Sequence, residues 1–469
     1  MKRRGIISAG LIKSLFLCGL ILLIFSCGSD PEGFIEIDAA AHSGNFDGSI
    51  AMIREAQDAK RPLYDERNVV SLFLDLGMLE HYADDHRASS QSLLEAERAI
   101  HEAFTKSLTQ GFMTFIGNDN SQEYPGEDFE DIYISIFNAL NFYNMGQIEG
   151  AMVEIRKLTM SSGKLEMLSR KYEDARGSFG DAVMNILGNL GLSLNDALPQ
   201  GDPSNFSNSA LARYLAVLFY QADGNDDGAR IEYEQLQAAL ATERAYAEQR
   251  LVDPSRPSIR DNPPRSIANM RNIPTDQARL DVIGFAGLSP IKTAEDFTGN
   301  FFFFQQNAEL QHPIFNLPVL VPRHSSISRI GVEVGGQSFD LDLLEDMGEV
   351  SYETFNARFA NMFFKTYLRV LIKYIAADQA ARQAPNELVR MAGIRALIVG
   401  INATEGADIR MGRFLPNLAK VGAIDLDPGT YTVTVNYYSA GGGLVGSDVH
   451  ENVEVRANAL NLIQSVNLN

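Results

Sequence analysis

Between positions 223 and 234, Asp223, Asn225, Asp227, Gly228 and Glu234 meet the spacing D-x-N-x-D-G-x5-E. Alternate oxygens at that spacing can converge on a calcium ion while the glycine permits the bend. Arg230, however, stands where an apolar residue normally anchors such a loop, so no metal site is assigned and a calcium-binding surface protein is kept as an alternative. Other constellations are thin. The histidines, His42, His81, His86, His101, His312, His324 and His450, show no HExxH or Cys-His spacing for zinc, and His81 and His86 are placed off one helix face. Ser338 in GGQSFD lacks the closing glycine of a nucleophile elbow. Carboxylate pairs such as Glu345-Asp346 and Glu127-Asp128 could move protons, but surface solvation explains them more simply. No catalytic residue and no cofactor are expected.

With so little side-chain chemistry, the elements that carry these residues matter more. In NMGQIEGAMVEIRKL, Gly146 is followed by Ala151, Ile155 and Leu158. The same offsets recur as Gly224, Ala229, Tyr233 and Leu236, and as Gly44, Ser49, Ile53 and Ala56. Each unit has a small residue in a turn, then small or apolar positions at steps that line one helix face. Amphipathic stretches precede the turns, with Ala139 and Phe142 before Gly146 and Val217 and Tyr220 before Gly224. Helix, tight turn, helix is therefore expected, because small side chains let antiparallel helices approach closely. Val69 to Ala103 reads as a further pair, with Ser92, Ala96 and Ala99 on its inner face. These offsets resemble the tetratricopeptide repeat (TPR) over residues 40 to 250, without its tryptophan and proline.

The chain opens MKRRGIISAGLIKSLFLCGLILLIFSCGSD, three basic residues before an apolar run that ends in Ile24-Phe25-Ser26-Cys27. That is a secretory signal. The junction resembles a bacterial lipoprotein lipobox, which implies that Cys27 is lipidated and tethers the mature protein. Gly28, in place of the aspartate that commonly retains lipoproteins at the inner membrane, implies the outer membrane, periplasmic face. Cys18 and Cys27 are the sole cysteines, so the mature chain forms no disulfide. A net charge of −20 argues against nucleic acid as a partner.

Proline-rich residues 251 to 276 break the helical pattern, with Pro254, Pro257, Pro263, Pro264 and Pro274. Beyond them RLDVIGFAG and SRIGVEVGGQSFDL read as strands, and Tyr352, Phe355, Phe359 and Phe363 stand at helical steps on a long helix that packs on the sheet. LDPGTYTVTVNYY reads as a strand after a turn, paired with the ENVEVRANALNLIQSVNLN tail across AGGGLVG. The run Phe301 to Phe304 reads as buried packing.

Together with EYPGEDFEDIYISIFNALNFYNMGQIEGAMVEIRK, GLSPIK, VGGQSFDLDLLEDM, ADIRMGRFLP and LDPGTYTVTVNY in that order, the chain resembles a family of bacterial envelope lipoproteins with a TPR-like N-terminal region. That resemblance implies residence in the cell envelope and transfers no catalytic residue. The expected organisation is α+β: signal peptide 1–26, TPR-like helical repeat domain 27–250, linker 251–276, and a C-terminal α/β domain 277–469 with a small antiparallel sheet and terminal hairpins. The expected function is a lipid-anchored periplasmic scaffold or adaptor that receives other cell-envelope proteins or peptide segments on the inner face of its helix pairs. A cell-wall or polysaccharide-acting enzyme with its site in the C-terminal domain is the other alternative.

Overall fold

A computed structural model describes residues 31–59, 62–110, 122–160, 163–167, 206, 208–249, 264–268, 270, 277–298, 314–381 and 406–469, with 386, 389, 392 and 393 between. Cys27, the segment before it, Phe301 to Phe304 and most of the proline-rich stretch lie outside the described residues.

The described chain is mixed α and β with small sheets. Its helical half runs in pairs: α1 (Ile35–His42) with α2 (Phe46–Gln57), α3 (Val69–Tyr82) with α4 (His86–Gln110), α5 (Asp128–Asn144) with α6 (Ile148–Thr159), and α7 (Ala210–Ala222) with α8 (Asp226–Gln249). Each pair turns on one residue in the left-handed region: Gly44, Asp84, Gly146 and Gly224, with φ of 81°, 61°, 70° and 69°. At each turn the next residue's amide reaches back to a carbonyl of the last helical turn: Asn45 to Ala40, Asp85 to Glu80, Gln147 to Phe142 and Asn225 to Tyr220. That bond closes orphan carbonyls and points the chain back along the helix it has left.

The small residue after each turn then decides how closely the second helix returns. Ser49, Ser89, Ala151 and Ala229 are all buried. Ser49 and Ser89 donate their hydroxyls to the Ile37 and Gly77 carbonyls of the preceding helix, at 3.0 and 2.6 Å. At Gly77 a β-carbon would sit 2.7 Å from the Leu93 side chain and 3.2 Å from its backbone nitrogen, so α3 and α4 approach closely there. Ile53, Leu93 and Ile155 follow at the next inward position, fully buried, and Tyr233 is half-buried there.

The second half begins with a short helix, α9 (Arg265–Ala268), followed by β1 (Ala278–Leu288), β2 (Ile291–Thr298), β3 (Ile314–Val321), β4 (Arg329–Val334), β5 (Gln337–Asp340) and β6 (Asp342–Asp346). A long helix, α10 (Met347–Ala381), precedes β7 (Pro416–Leu426), β8 (Gly429–Tyr438), β9 (Leu444–Val455) and β10 (Asn461–Asn467). One sheet has the order β10-β1-β7-β6, a second pairs β2 with β3, and a third runs β5-β4-β8-β9.

The β8–β9 hairpin forms as its sequence suggests, but the last strand does not join it. β10 lies parallel to β1, from Leu280 opposite Asn461 to Ala286 opposite Asn467. The reason lies in β1, which is buried along its whole length and needs a partner on both edges. Its alternation divides the molecule. Leu280, Val282 and Ala286 face a core shared with Ile330, Val332, Val433 and Val435 of the outer sheet. Ile283 and Phe285 point the other way, into a core continuous with α3, α5 and α7. Helices, inner sheet and outer sheet are thus stacked as three layers.

Candidate functional site

The first helices of the last three pairs, α3, α5 and α7, are covered on both sides. Their second helices close one face, and the inner sheet closes the other. Phe137 packs on Phe285 with ring centroids 5.1 Å apart, and the Tyr214 hydroxyl donates to Asp281 at 2.7 Å. The inner face expected to receive a partner is therefore filled by the chain's own second half. Glu345 and Glu127, read from sequence as solvated, are buried in this contact. Glu345 accepts from the Tyr133 hydroxyl at 2.8 Å, the Ser209 hydroxyl at 2.8 Å and the Leu211 amide at 3.1 Å. Its carboxylate faces the N-terminus of α7, where free amides favour negative charge.

Beside the sheet, residues 406 to 415 run without regular structure into a seat made by α3, α5 and their flanking loops. Two buried carboxylates hold the main chain there. Glu130 Oε1 accepts the Gly412 amide at 2.6 Å, and Asp75 Oδ1 accepts the Arg413 amide at 2.6 Å. Their other oxygens stay with the helical half: Glu130 Oε2 takes the Glu127 amide and the Tyr124 hydroxyl, and Asp75 Oδ2 takes the Tyr64 hydroxyl at 2.6 Å. A β-carbon on Gly412 would lie 2.4 Å from a Leu74 methyl, so any larger residue here would require Leu74 to shift.

The flanking side chains are anchored as firmly. Arg410 donates to Asp408 at 2.7 Å and to the Gln122 carbonyl at 2.8 Å, and lies over the Tyr124 ring. Arg413 pairs with Asp38 and lies 4.3 Å from the Phe34 ring centroid. Glu127 is shared between Lys292 and Arg358. Tyr82 closes the seat by donating to the Phe414 carbonyl at 2.8 Å.

Burial raises the Asp75 carboxyl to about 7 against the hydrogen bonds that oppose it, and burial together with the neighbouring Glu127 charge raises Glu130 to about 7. Burial also raises Asp408, but Arg410 outweighs it and holds that carboxyl below its ordinary value. Asp75 and Glu130 are buried and fully partnered, an arrangement that grips a peptide main chain.

A third cluster escaped the sequence reading. The turn at Asp84 folds His86 back over His81, so that the rings stand 5.6 Å apart and both reach Asn141 Oδ1, at 2.6 and 3.3 Å. Spacing along one continuous helix could not reveal a pair made by reversing the chain. Burial lowers His81 to about 4, so its ring is neutral. Asn141 donates its amide to Ser89 at 2.7 Å, which leaves Oδ1 to accept from His81 Nδ1. His81 Nε2 stands 3.1 Å from Gln464 Oε1, and with the ring neutral and its proton on Nδ1, a hydrogen bond there requires the Gln464 amide to be turned so that its nitrogen donates.

The residues of the calcium spacing are not gathered. Asp223 ends α7, Asn225 caps α8 by accepting the Gly228 amide at 2.9 Å, and Asp227 and Glu234 lie within α8, on one face but two helical turns apart. Arg230 pairs with Glu234 at 2.9 Å and lies 3.9 Å from Asp227. Among the described residues no group of three or more metal-ligating side chains is assembled. No protein family, curated protein or solved structure matches the chain.

Proposed function

We propose that the protein is a lipid-anchored scaffold or adaptor of the cell envelope, tethered through Cys27 at the periplasmic face of the outer membrane, which binds other envelope proteins or their peptide segments through a TPR-like surface of stacked helix pairs. The observation that supports this reading is the seat of Asp408–Leu415, where carboxylates on α3 and α5 hold an irregular main chain by the Gly412 and Arg413 amides. Stacked helix pairs are suited to that mode of recognition. In this chain the seat is filled from within, so a partner meets the second helices instead. Leu94 on α4, Val153 on α6 and Ile231 on α8 are exposed there.

The test is chemical cross-linking in intact envelopes with Leu94→Asp, Val153→Asp and Ile231→Asp combined. The expected result is a defined cross-linked species with the unaltered chain that disappears in the variant, while the thermal transition of the variant is unchanged. The same species at equal yield from both would overturn the assignment of the surface.

A further inference from the structure

The chain passes from the outer sheet to the inner one at Leu341, between β5 and β6, and the sheets part there around an open cleft of about 640 Å3. That volume falls in the range of small-ligand sites. Its walls carry Arg265 and Ser266 from α9, Arg329 and Glu333 from β4, Ser338 and Asp340 from β5, Asp342 from β6 and Tyr438 from β8.

Strand register explains one wall. Arg329 stands opposite Tyr438, and Asp340 opposite Gly331. Gly331 leaves the middle of that row empty, and a β-carbon there would lie 3.3 to 3.4 Å from Asp340, Arg329 and Tyr438. Through the gap Arg329 Nη1 reaches Asp340 Oδ1 at 2.7 Å while its guanidinium lies 3.9 Å from the Tyr438 ring centroid. Both charged side chains remain about half exposed to the cleft, at 47% and 56%. A fixed guanidinium and a carboxylate therefore stand side by side, one donating and one accepting.

The rest of the lining narrows the ligand. Glu333, Asp340 and Asp342 outnumber Arg265 and Arg329, and Arg329 is already paired, so an anion is disfavoured. No metal-ligating group is assembled among the described residues. The walls are too polar for an apolar guest. A ring bearing adjacent hydroxyls matches, since each hydroxyl both donates and accepts.

We propose that this cleft binds a neutral, hydroxyl-rich ring, the sugar unit of an uncharged glycan. One hydroxyl donates to Asp340 and its neighbour accepts from Arg329, with Ser338 and the free oxygens of Glu333 and Asp342 around the rim.

The experiment applies the purified full chain to an array of neutral oligosaccharides and of oligosaccharides bearing uronic or sialic acids, then measures affinity calorimetrically for a neutral glycan that binds. Asp340→Ala, Arg329→Met and Gly331→Val are compared, with thermal transitions confirming that each variant folds. Saturable binding of a neutral glycan, weakened tenfold or more by Asp340→Ala or Arg329→Met and by filling the gap at Gly331, is the expected result. Binding of acidic glycans only, of none, or of a neutral glycan with unchanged affinity in folded variants would overturn it.

Discussion

Glu130 accepts a hydrogen bond from the Gly412 amide at 2.6 Å, across 282 positions of sequence. The contact is one of several in which a buried acidic side chain from one half of the protein holds main chain from the other. Removing such a carboxylate leaves donors with nothing to bond, while keeping it requires that a charge be taken out of water. The protein's response to pH follows from that balance.

Asp75 and Glu130 are raised from 3.8 and 4.5 to about 7 in the folded chain. Between those values the folded state holds protons that the unfolded state releases, so this contribution to stability is present in acid and is lost as pH rises through 7. The slope is at most about 1.4 kcal/mol per pH unit for each group. Urea unfolding is expected to give a higher midpoint at about pH 6.5 than at about pH 8.5. Asp75→Asn combined with Glu130→Gln should flatten the difference, and an equal slope in that variant would contradict the assignment.

His81 works in the opposite sense. Its folded value of about 4 lies below the ordinary 6.5, so its contribution is present above 6.5 and is lost as pH falls toward 4. An NMR titration of the ring protons is expected to show His81 still neutral at about pH 5.5. A midpoint near 6.5 would mean that the ring is not sealed between Asn141 and Gln464.

Glu345→Ala is expected to be among the most damaging single changes. It strands the Tyr133 and Ser209 hydroxyls and the Leu211 amide in a buried site, for a loss of about 3–5 kcal/mol. Glu345→Gln, which keeps an acceptor, should lose less. Denaturant unfolding of the two variants decides the order, and equal losses would argue against a hydrogen-bonding role.

The four turns differ in one respect that can be measured. Gly146→Ala and Gly224→Ala place a β-carbon at positive φ and are expected to destabilise by about 1 kcal/mol each. Asp84→Gly relieves the same strain where the protein already bears it, and should stabilise by up to about 1 kcal/mol. Thermal unfolding of the three variants reads the signs directly.

Turns at Gly44, Gly146 and Gly224 were legible because glycine announces a left-handed residue and the burial offsets repeat after it. The equivalent turn at Asp84 was not, since aspartate has no such signature and only the small Ser89 five positions later betrays it. The β8–β9 hairpin could be read from alternation flanking a glycine-rich loop. The parallel pairing of β10 with β1 could not, because Asn461–Asn467 shows no regular alternation and nothing in it names the distant strand that lies beside it. The seat of Asp408–Leu415 was hidden for a similar reason. Its donors are main-chain amides, which every sequence has, and its acceptors are single acidic residues inside apolar helices. Glu130 and Asp75 are charges in mostly apolar helices, a signal that becomes specific only once their partners are known.

Proximity labelling in the native envelope, comparing the unaltered chain with Cys27→Ala, tests the proposal of a lipid-anchored adaptor most directly. The expected result is one or two envelope proteins recovered in stoichiometric yield with the unaltered chain and lost with Cys27→Ala. Labelling no greater than background in both forms, with the protein folded, would contradict it.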